Sequence, residues 1–202
     1  MNLRPGGPHR PVDERRTQLL DAALDVLRDQ GLAGLTTRAV TTRAGVPHGI
    51  FHYAFGSKAA LVRALIDREL TGAAAAWGAA VATDDLETAL RGAVRAQLDI
   101  VRADPEHQAV VFDLVRASRD DADLDAAAWE RRQYLAEIER QLVEWSRHGG
   151  VTWDAPTEHV AALVLSATDG VVRTWVVDRD DARADASVDL LARAVTSLSR
   201  PA

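Results

Sequence analysis

The stretch TTRAVTTRAGVPHGIFHYAFGSK, residues 36–58, decides the fold. Thr36 offers a hydroxyl that can take up an unpaired backbone N–H at the start of a helix. Ala39, Val40 and Ala44 then give that helix a small apolar face. Gly45 stands where a left-handed residue normally ends a helix, and Pro47 fits the first position of the next one. Ser57 is placed to cap a third helix. Two short helices across a tight turn form a helix-turn-helix, whose second helix enters the DNA major groove.

The second helix separates into faces. At about 100° per residue, Pro47, Phe51, Ala54 and Phe55 fall on one side. His48, Gly49, His52 and Tyr53 fall on the other, with Ile50 at the border. One side is apolar enough to dock on a core, and the other carries short polar groups and a glycine. Gly49 costs about 1 kcal/mol against alanine in a helix interior. Either close approach of a DNA backbone or tight packing against another helix accounts for it.

Charge points the same way. No Asp or Glu occurs between Asp29 and Asp67, a window that holds Arg38, Arg43, Lys58 and Arg63. A phosphate-facing surface needs missing carboxylates as much as it needs cations. The formal net charge is −6, but residues 1–70 carry ten Arg/Lys against seven Asp/Glu, whereas residues 71–202 carry fourteen against twenty-three. A basic head on an acidic body predicts a polyanion partner at one end only.

The run AGVPHGIFHYAFGSKAAL, residues 44–61, resembles the signature of the tetracycline-repressor (TetR) family of bacterial transcription regulators. Gly45, Val46, Gly49, Phe55, Ser57, Lys58 and Leu61 stand where that pattern wants them. With the preceding helix, the match covers roughly the first third of the chain. The resemblance implies that Thr36, His52, Tyr53 and Lys58 touch phosphates, while Arg38, Pro47, His48 and Ile50 lie nearest base edges. Thr37, Gly49 and Arg43 complete the candidate DNA-binding set. The chain departs from the pattern at His52 and Ala54, where tyrosine is usual, and at Ile50, where a polar residue is usual. Ala39 lacks the common acidic residue, and Thr41 replaces an alanine.

The 202 residues suffice for one or two small domains. Cysteine is absent, which excludes disulfides, thiolate nucleophiles and cysteine metal sites. No apolar run is expected to reach the ~20 residues of a membrane span, and the Arg/Pro/Gly-rich start is no signal peptide. A cytoplasmic chain without membrane partner is the expectation. Residues 1–12, MNLRPGGPHRPV, read as a disordered arm, in which Arg4 and Arg10 could reach a minor groove. Residues 13–56 read as the DNA-binding head, 57–82 as a connecting helix, and 83–202 as a ligand-binding and dimerisation domain. The connecting helix has Leu61, Leu65 and Ile66 facing inward. Its first turn offers Lys58 and free N–H groups to an anion.

The body also reads as helices. Leu86, Leu90, Val94, Leu98 and Val101 repeat at helical steps, and Asp104-Pro105 opens the next helix. Leu135, Ile138, Leu142 and Trp145 belong to a long helix that stops at Gly149-Gly150. Pro156 opens a helix holding Val160, Val164, Leu165, Val171, Val172 and Trp175, and Val188, Leu191, Val195 and Leu198 mark the last. No strand is expected. The fold class is all-α, about nine helices.

All five tryptophans, Trp77, Trp129, Trp145, Trp153 and Trp175, follow the head. Aromatics spread over several helices can line a pocket for a small organic molecule, or simply pack a core. Trp77, Phe112, Arg116, Trp129, Asp169, Arg173 and Trp175 are the candidate ligand contacts, with Trp153 set aside in a loop. Asp169 lies in an otherwise apolar run and needs a partner. Arg173 one turn on, a second subunit, or a cationic ligand group would each serve. The Asp169-Gly170 step also resembles the BetI-type, choline-responsive branch of the family. Ala161, Ala162, Ser166, Ala167 and Gly170 permit close helix approach, and by resemblance the last two long helices form a homodimer interface.

Enzyme motifs are missing: no His-Glu-x-x-His, phosphate loop or nucleophile elbow occurs. His48 and His52 have the i, i+4 spacing of a metal pair without a third ligand nearby, so neither a metal nor a cofactor is expected. The expected function is a homodimeric repressor released from a palindromic operator by a small ligand. The alternative is a small-molecule-binding or protein-interaction module that keeps the head but has lost operator recognition.

Overall fold

The computed structural model describes residues 12–80, 85–117, 126–148 and 150–202; the N-terminal arm expected over residues 1–12 lies outside them apart from its last residue. Nine helices follow one another among the described residues. The head is made by α1 (Val12–Gly34), α2 (Thr37–Ala44) and α3 (His48–Ala54). Next comes α4 (Lys58–Ala80), and the body adds α5 (Leu86–Ala103), α6 (Pro105–Ala117), α7 (Ala126–His148), α8 (Thr157–Asp178) and α9 (Asp181–Thr196).

Helix boundaries follow local chemistry. Thr36 Oγ1 accepts from Ala39 N–H at 3.1 Å, and Gly45 closes α2 at φ 65. Only glycine adopts that left-handed geometry without a Cβ clash. Ser57, Asp85, Asp104 and Asp180 each accept a backbone N–H three residues on, capping α4, α5, α6 and α9. Pro47 and Pro156 stand one residue before their helices rather than at the first position. In α1, Gly31 breaks the helix at φ 65, although helical turns resume to Gly34.

Two buried clusters divide the apolar residues. The head cluster joins Leu19, Ala23, Val26 and Leu27 of α1 with Leu35, Val40, Phe51 and Phe55, and with Leu61, Leu65 and Ile66 of α4. Val111, Leu114 and Val115 of α6 belong to it as well. The body cluster collects Leu90, Val94, Leu98 and Val101 of α5, Ile138 and Leu142 of α7, and the inner faces of α8 and α9. Arg91 pairs with Asp189 at 2.9 Å and Arg102 with Asp185 at 3.0 Å, tying α5 to α9.

Two expectations need correction. A short antiparallel pair forms where no strand was expected: β1 (Val151–Trp153) runs against β2 (Ser199–Pro201). Trp153 is therefore not in a loop; it packs on the body cluster and donates its indole N–H to Leu142 O at 3.1 Å. The pair joins the α7–α8 connection to the chain end, where Ala202 N–H also reaches Gly150 O at 2.7 Å. Secondly, α8 is long and apolar enough to cross a membrane, with 22 residues and a best-window mean hydropathy of 1.5. Its Val160, Ala161, Val164, Leu165, Val172 and Trp175 are instead buried in the body cluster, so core packing accounts for its composition.

Candidate nucleic-acid interface and ligand cavity

The head presents α3 as the sequence pattern predicts except at Pro47, which the pattern puts on the apolar side and which stands exposed at the helix start. Phe51, Ala54 and Phe55 are buried, whereas Pro47, His48, Gly49, His52 and Tyr53 are exposed, Tyr53 by 74%. Ile50 sits at the border, half-buried against the head cluster. Two polar clamps fix the angle of this unit on α1. Gln18 donates to Ala44 O at 2.8 Å at the end of α2, and Arg16 donates to Ala54 O while lying over the Phe55 ring at 4.5 Å. Thr41 is buried, and its hydroxyl donates to Thr37 O at 3.0 Å and to Arg38 O at 3.1 Å. The departure from alanine at Thr41 is thus absorbed within α2.

Gly49 meets nothing within 4 Å of where a Cβ would stand. Tight packing against another helix, one of the two readings of this glycine, finds no neighbour among the described residues. Ala54 is in the core, so of the three departures in α3 only His52 and Ile50 concern the exposed side and its border. His52 Nδ1 lies 3.3 Å from Gly56 O, leaving Nε2 to face outward. The His48 and His52 rings meet edge-on at 5.2 Å, and no group of three metal-ligating side chains occurs among the described residues.

Thr36 and Arg38 are exposed at the start of α2, and Thr37 is half-buried. Lys58, half-buried, opens α4 beside α3. Arg43 is the paired cation of this surface. It pairs with Asp29 and, at 3.6 Å, with Asp25 on α1, and these carboxylates raise its pKa through hydrogen bonding and charge. Arg38, Lys58 and Arg63 form no such pair among the described residues. The cation surface is smaller than the sequence window suggests, because two α1 carboxylates reach into it.

A cavity of about 690 Å³ opens between α4, α5, α6, α7 and α8. Val111, Phe112 and Val115 of α6, Ile138 of α7, and Leu165 and Val172 of α8 supply its apolar wall. Gln97, Gln108, Tyr134, Thr168, Asp169 and Arg173 are among its polar groups. Arg173 lies over the Phe112 ring at 4.2 Å. Asp169 is half-buried and sits 3.8 Å from Arg131, a partner on α7 that the sequence did not suggest. Burial pushes its carboxyl above the usual range, against the opposing pull of Arg173 and Arg131.

Phe112, Asp169 and Arg173 thus share one wall, but three other candidates do not line the cavity. Trp175 is buried in the body cluster and donates to Asp181 Oδ1 at 2.8 Å. Trp129 packs against the head cluster, and exposed Arg116 pairs with Asp113 at 3.2 Å. The Trp77 side chain lies outside the described residues. Sequence reasoning missed Gln97, Thr168 and Arg131, which carry no motif and come together only when α5, α7 and α8 pack.

Residues 19–65 match the model for bacterial regulatory proteins of the TetR family. Over 116 residues the chain is 33% identical to the HTH-type transcriptional activator FasR of Mycolicibacterium smegmatis, covering 54% of this chain and 53% of that protein. Over the head, the chain matches the TetR family. A second TetR-type relative, the HTH-type transcriptional regulator BetI of Burkholderia thailandensis, is 38% identical over 87 residues, 42% of this chain and 45% of that protein. The chain spans about half the length of the curated relatives it matches. Solved structures extend the likeness in fold to the body. FadR from Bacillus subtilis in complex with stearoyl-CoA superposes with a TM-score of 0.73 at 16% identity, over 90% of this chain and 97% of that one. The multidrug binding protein EbrR complexed with imidazole superposes at 0.66 and 24%, over 95% and 96%. The TetR-family match falls on the head, where α3 stands exposed; the body shares only the fold with these neighbours.

Proposed function

We propose that this chain is a homodimeric transcriptional repressor that binds a palindromic operator through α3 and is released by a small organic ligand held in the body. Residues 13–56 read DNA, 57–82 connect, and 83–202 bind ligand and dimerise, in a bacterial cytoplasm. The observation that carries the reading is the split of α3 into a buried apolar side and an exposed side with an unfilled glycine. Thr36, Thr37, His52, Tyr53 and Lys58 would hold phosphates, and Arg38, Pro47, His48 and Ile50 would lie nearest the bases. Phosphate contacts position such a head, while base-edge contacts specify the site.

Dimerisation is supported by the outer faces of the last two helices. Leu163, Val177 and Leu190 are exposed by 45%, 85% and 60%, and Gly170 has open space above its backbone. A twofold dimer would cover them and match two half-sites.

Coupling is supported by α6. It gives Val111, Leu114 and Val115 to the head cluster and packs Phe112 on the body cluster, while three of these four line the cavity. Polar contacts run alongside. Arg28 of α1 pairs with Asp104 at 2.8 Å and donates to His107 Nδ1 at 3.3 Å, and His107 Nε2 reaches Glu69 of the cavity wall at 2.8 Å. A ligand that prefers a different α4–α6 spacing would move the head; one without such preference shifts nothing.

The test is fluorescence anisotropy of the purified protein on duplexes from the DNA flanking its own gene, against a scrambled duplex and across a salt series. Tight, sequence-dependent binding with a steep salt slope supports the regulator. Equal affinity for native, scrambled and randomised duplexes favours the module that has lost operator recognition. Transcription from the bound promoter with and without protein reads the sign of regulation.

A further inference from the structure

We infer that the cavity takes an apolar molecule carrying a primary or secondary ammonium group, a ligand class defined by N–H donors on a cation. This rests on reading the body as the ligand-binding part of the chain. The argument begins with what the wall leaves unpaired. Gln97 Oε1 and Thr168 Oγ1 are both buried from solvent and have no hydrogen-bond partner among the described residues, and both residues line the cavity. Thr168 is only 6% exposed. Buried polar atoms are nearly always paired, so two orphans among the cavity-lining residues, on α5 and α8, mark a place for a ligand's polar group. The Gln97 atom can only accept, and a threonine hydroxyl can also accept. Asp169, the residue after Thr168 on the same wall, adds a carboxylate.

The cations of the wall are already engaged. Arg131 holds Asp169 and, at 3.2 Å, the Ser166 hydroxyl; Arg140 holds Glu137 at 2.7 Å; Arg68 holds Asp21 at 2.7 Å. Arg173 lies over the Phe112 ring at 4.2 Å. What the wall leaves unmet are two acceptor atoms, which share the lining with the Asp169 carboxylate. An ammonium group answers them, since each N–H satisfies an acceptor and its charge faces the Asp169 carboxylate. A carboxylate ligand would bring no donor to either orphan and would meet the Asp169 charge. A quaternary ammonium would bring charge without donors and leave the two orphans unpaired. The apolar wall of Val111, Phe112, Leu165 and Val172 takes the hydrocarbon, and the volume lies within the usual range for small-molecule pockets.

The test is isothermal titration of the full-length protein, without DNA, using three probes of equal chain length: decylamine, decyltrimethylammonium and decanoate. Decylamine is expected to bind at least about tenfold more tightly than either of the others, the scale of a charge-assisted hydrogen bond. Thr168→Val and Gln97→Met should each weaken decylamine about fivefold to tenfold and leave decyltrimethylammonium unchanged. Thermal melts of both variants confirm that they fold. Decanoate binding as tightly as decylamine, no binding by any probe, or unchanged decylamine affinity in the folded double variant would each overturn the inference. Adding decylamine to the operator complex tests the functional reading separately. Tight binding in the calorimeter with no release of DNA would keep the ligand class and remove the ligand-responsive regulator.

Discussion

At the residue scale, Gly49 separates function from stability. It is exposed in α3 with open space around it, so a methyl group meets nothing in the free protein. Gly49→Ala should therefore raise the stability of the head by up to about 1 kcal/mol, the helix-propensity gain. If a DNA backbone comes close there, the same change weakens operator binding at least about tenfold; a melting curve and an anisotropy titration of one sample read both. Arg38 and Arg43 divide similarly. Arg38→Ala should weaken operator binding by about 1–3 kcal/mol and relax its sequence preference, whereas Arg43→Ala should change binding little, because Asp25 and Asp29 already hold that charge. Thr36, Gly45 and the α3 faces were legible in sequence because caps and turns obey local rules. The Arg43 pairs were not, since they depend on how α1 crosses α2. Asp169 carries a pH prediction. Desolvation raises its folded-state pKa more than Arg173 and Arg131 lower it, so the folded chain holds this proton more tightly than the unfolded one. Its contribution to stability is complete below the ordinary carboxylate range and is lost as pH rises through the raised value. Asp169→Asn should melt above the parent at neutral pH, with the gap closing in acid; a variant that melts lower at neutral pH would mean that the Arg131 pair outweighs desolvation.

At the scale of elements, α6 is the helix whose role sequence could not reveal. Val111, Leu114 and Val115 read as one apolar stripe, yet the stripe serves the head cluster while Phe112 beside it packs on the body. Periodicity reports how apolar a face is and is silent on which core receives it. The same limit hid β1 and β2, since three-residue strands give no usable alternation and their pairing joins positions fifty residues apart. If α6 and its polar contacts link cavity to head, Arg28→Ala should leave operator affinity of the unliganded protein within about twofold, because exposed pairs contribute little to stability. It should also shrink the factor by which an inducing ligand weakens DNA binding, a factor commonly about 5 to 150 in coupled systems. His107→Ala should act alike, as both residues meet at the α1–α6 contact. Full induction in the double variant would place the coupling in the apolar contacts of α6 alone.

At the scale of the whole molecule, the outward faces of α8 and α9 bear on whether the chain works alone. The helix whose composition suits a membrane span spends one side on the body core and leaves Leu163 and Val177 uncovered, while α9 adds Leu190. Apolar side chains this exposed, beside the open backbone of Gly170, fit a second copy of the same surface better than solvent. Self-association would also complete the DNA argument, because one head reads only one half-site and a twofold pair reads a palindrome. The double variant Val177→Arg, Leu190→Arg places four like charges at a twofold contact and should yield a folded monomer in light scattering at micromolar concentration. Its helical signal should persist, since neither side chain enters a core. Operator affinity should fall at least about a hundredfold, and the salt slope should drop toward half, since one head engages half the phosphates. A variant that stays dimeric with unchanged operator affinity would move the interface off these two helices.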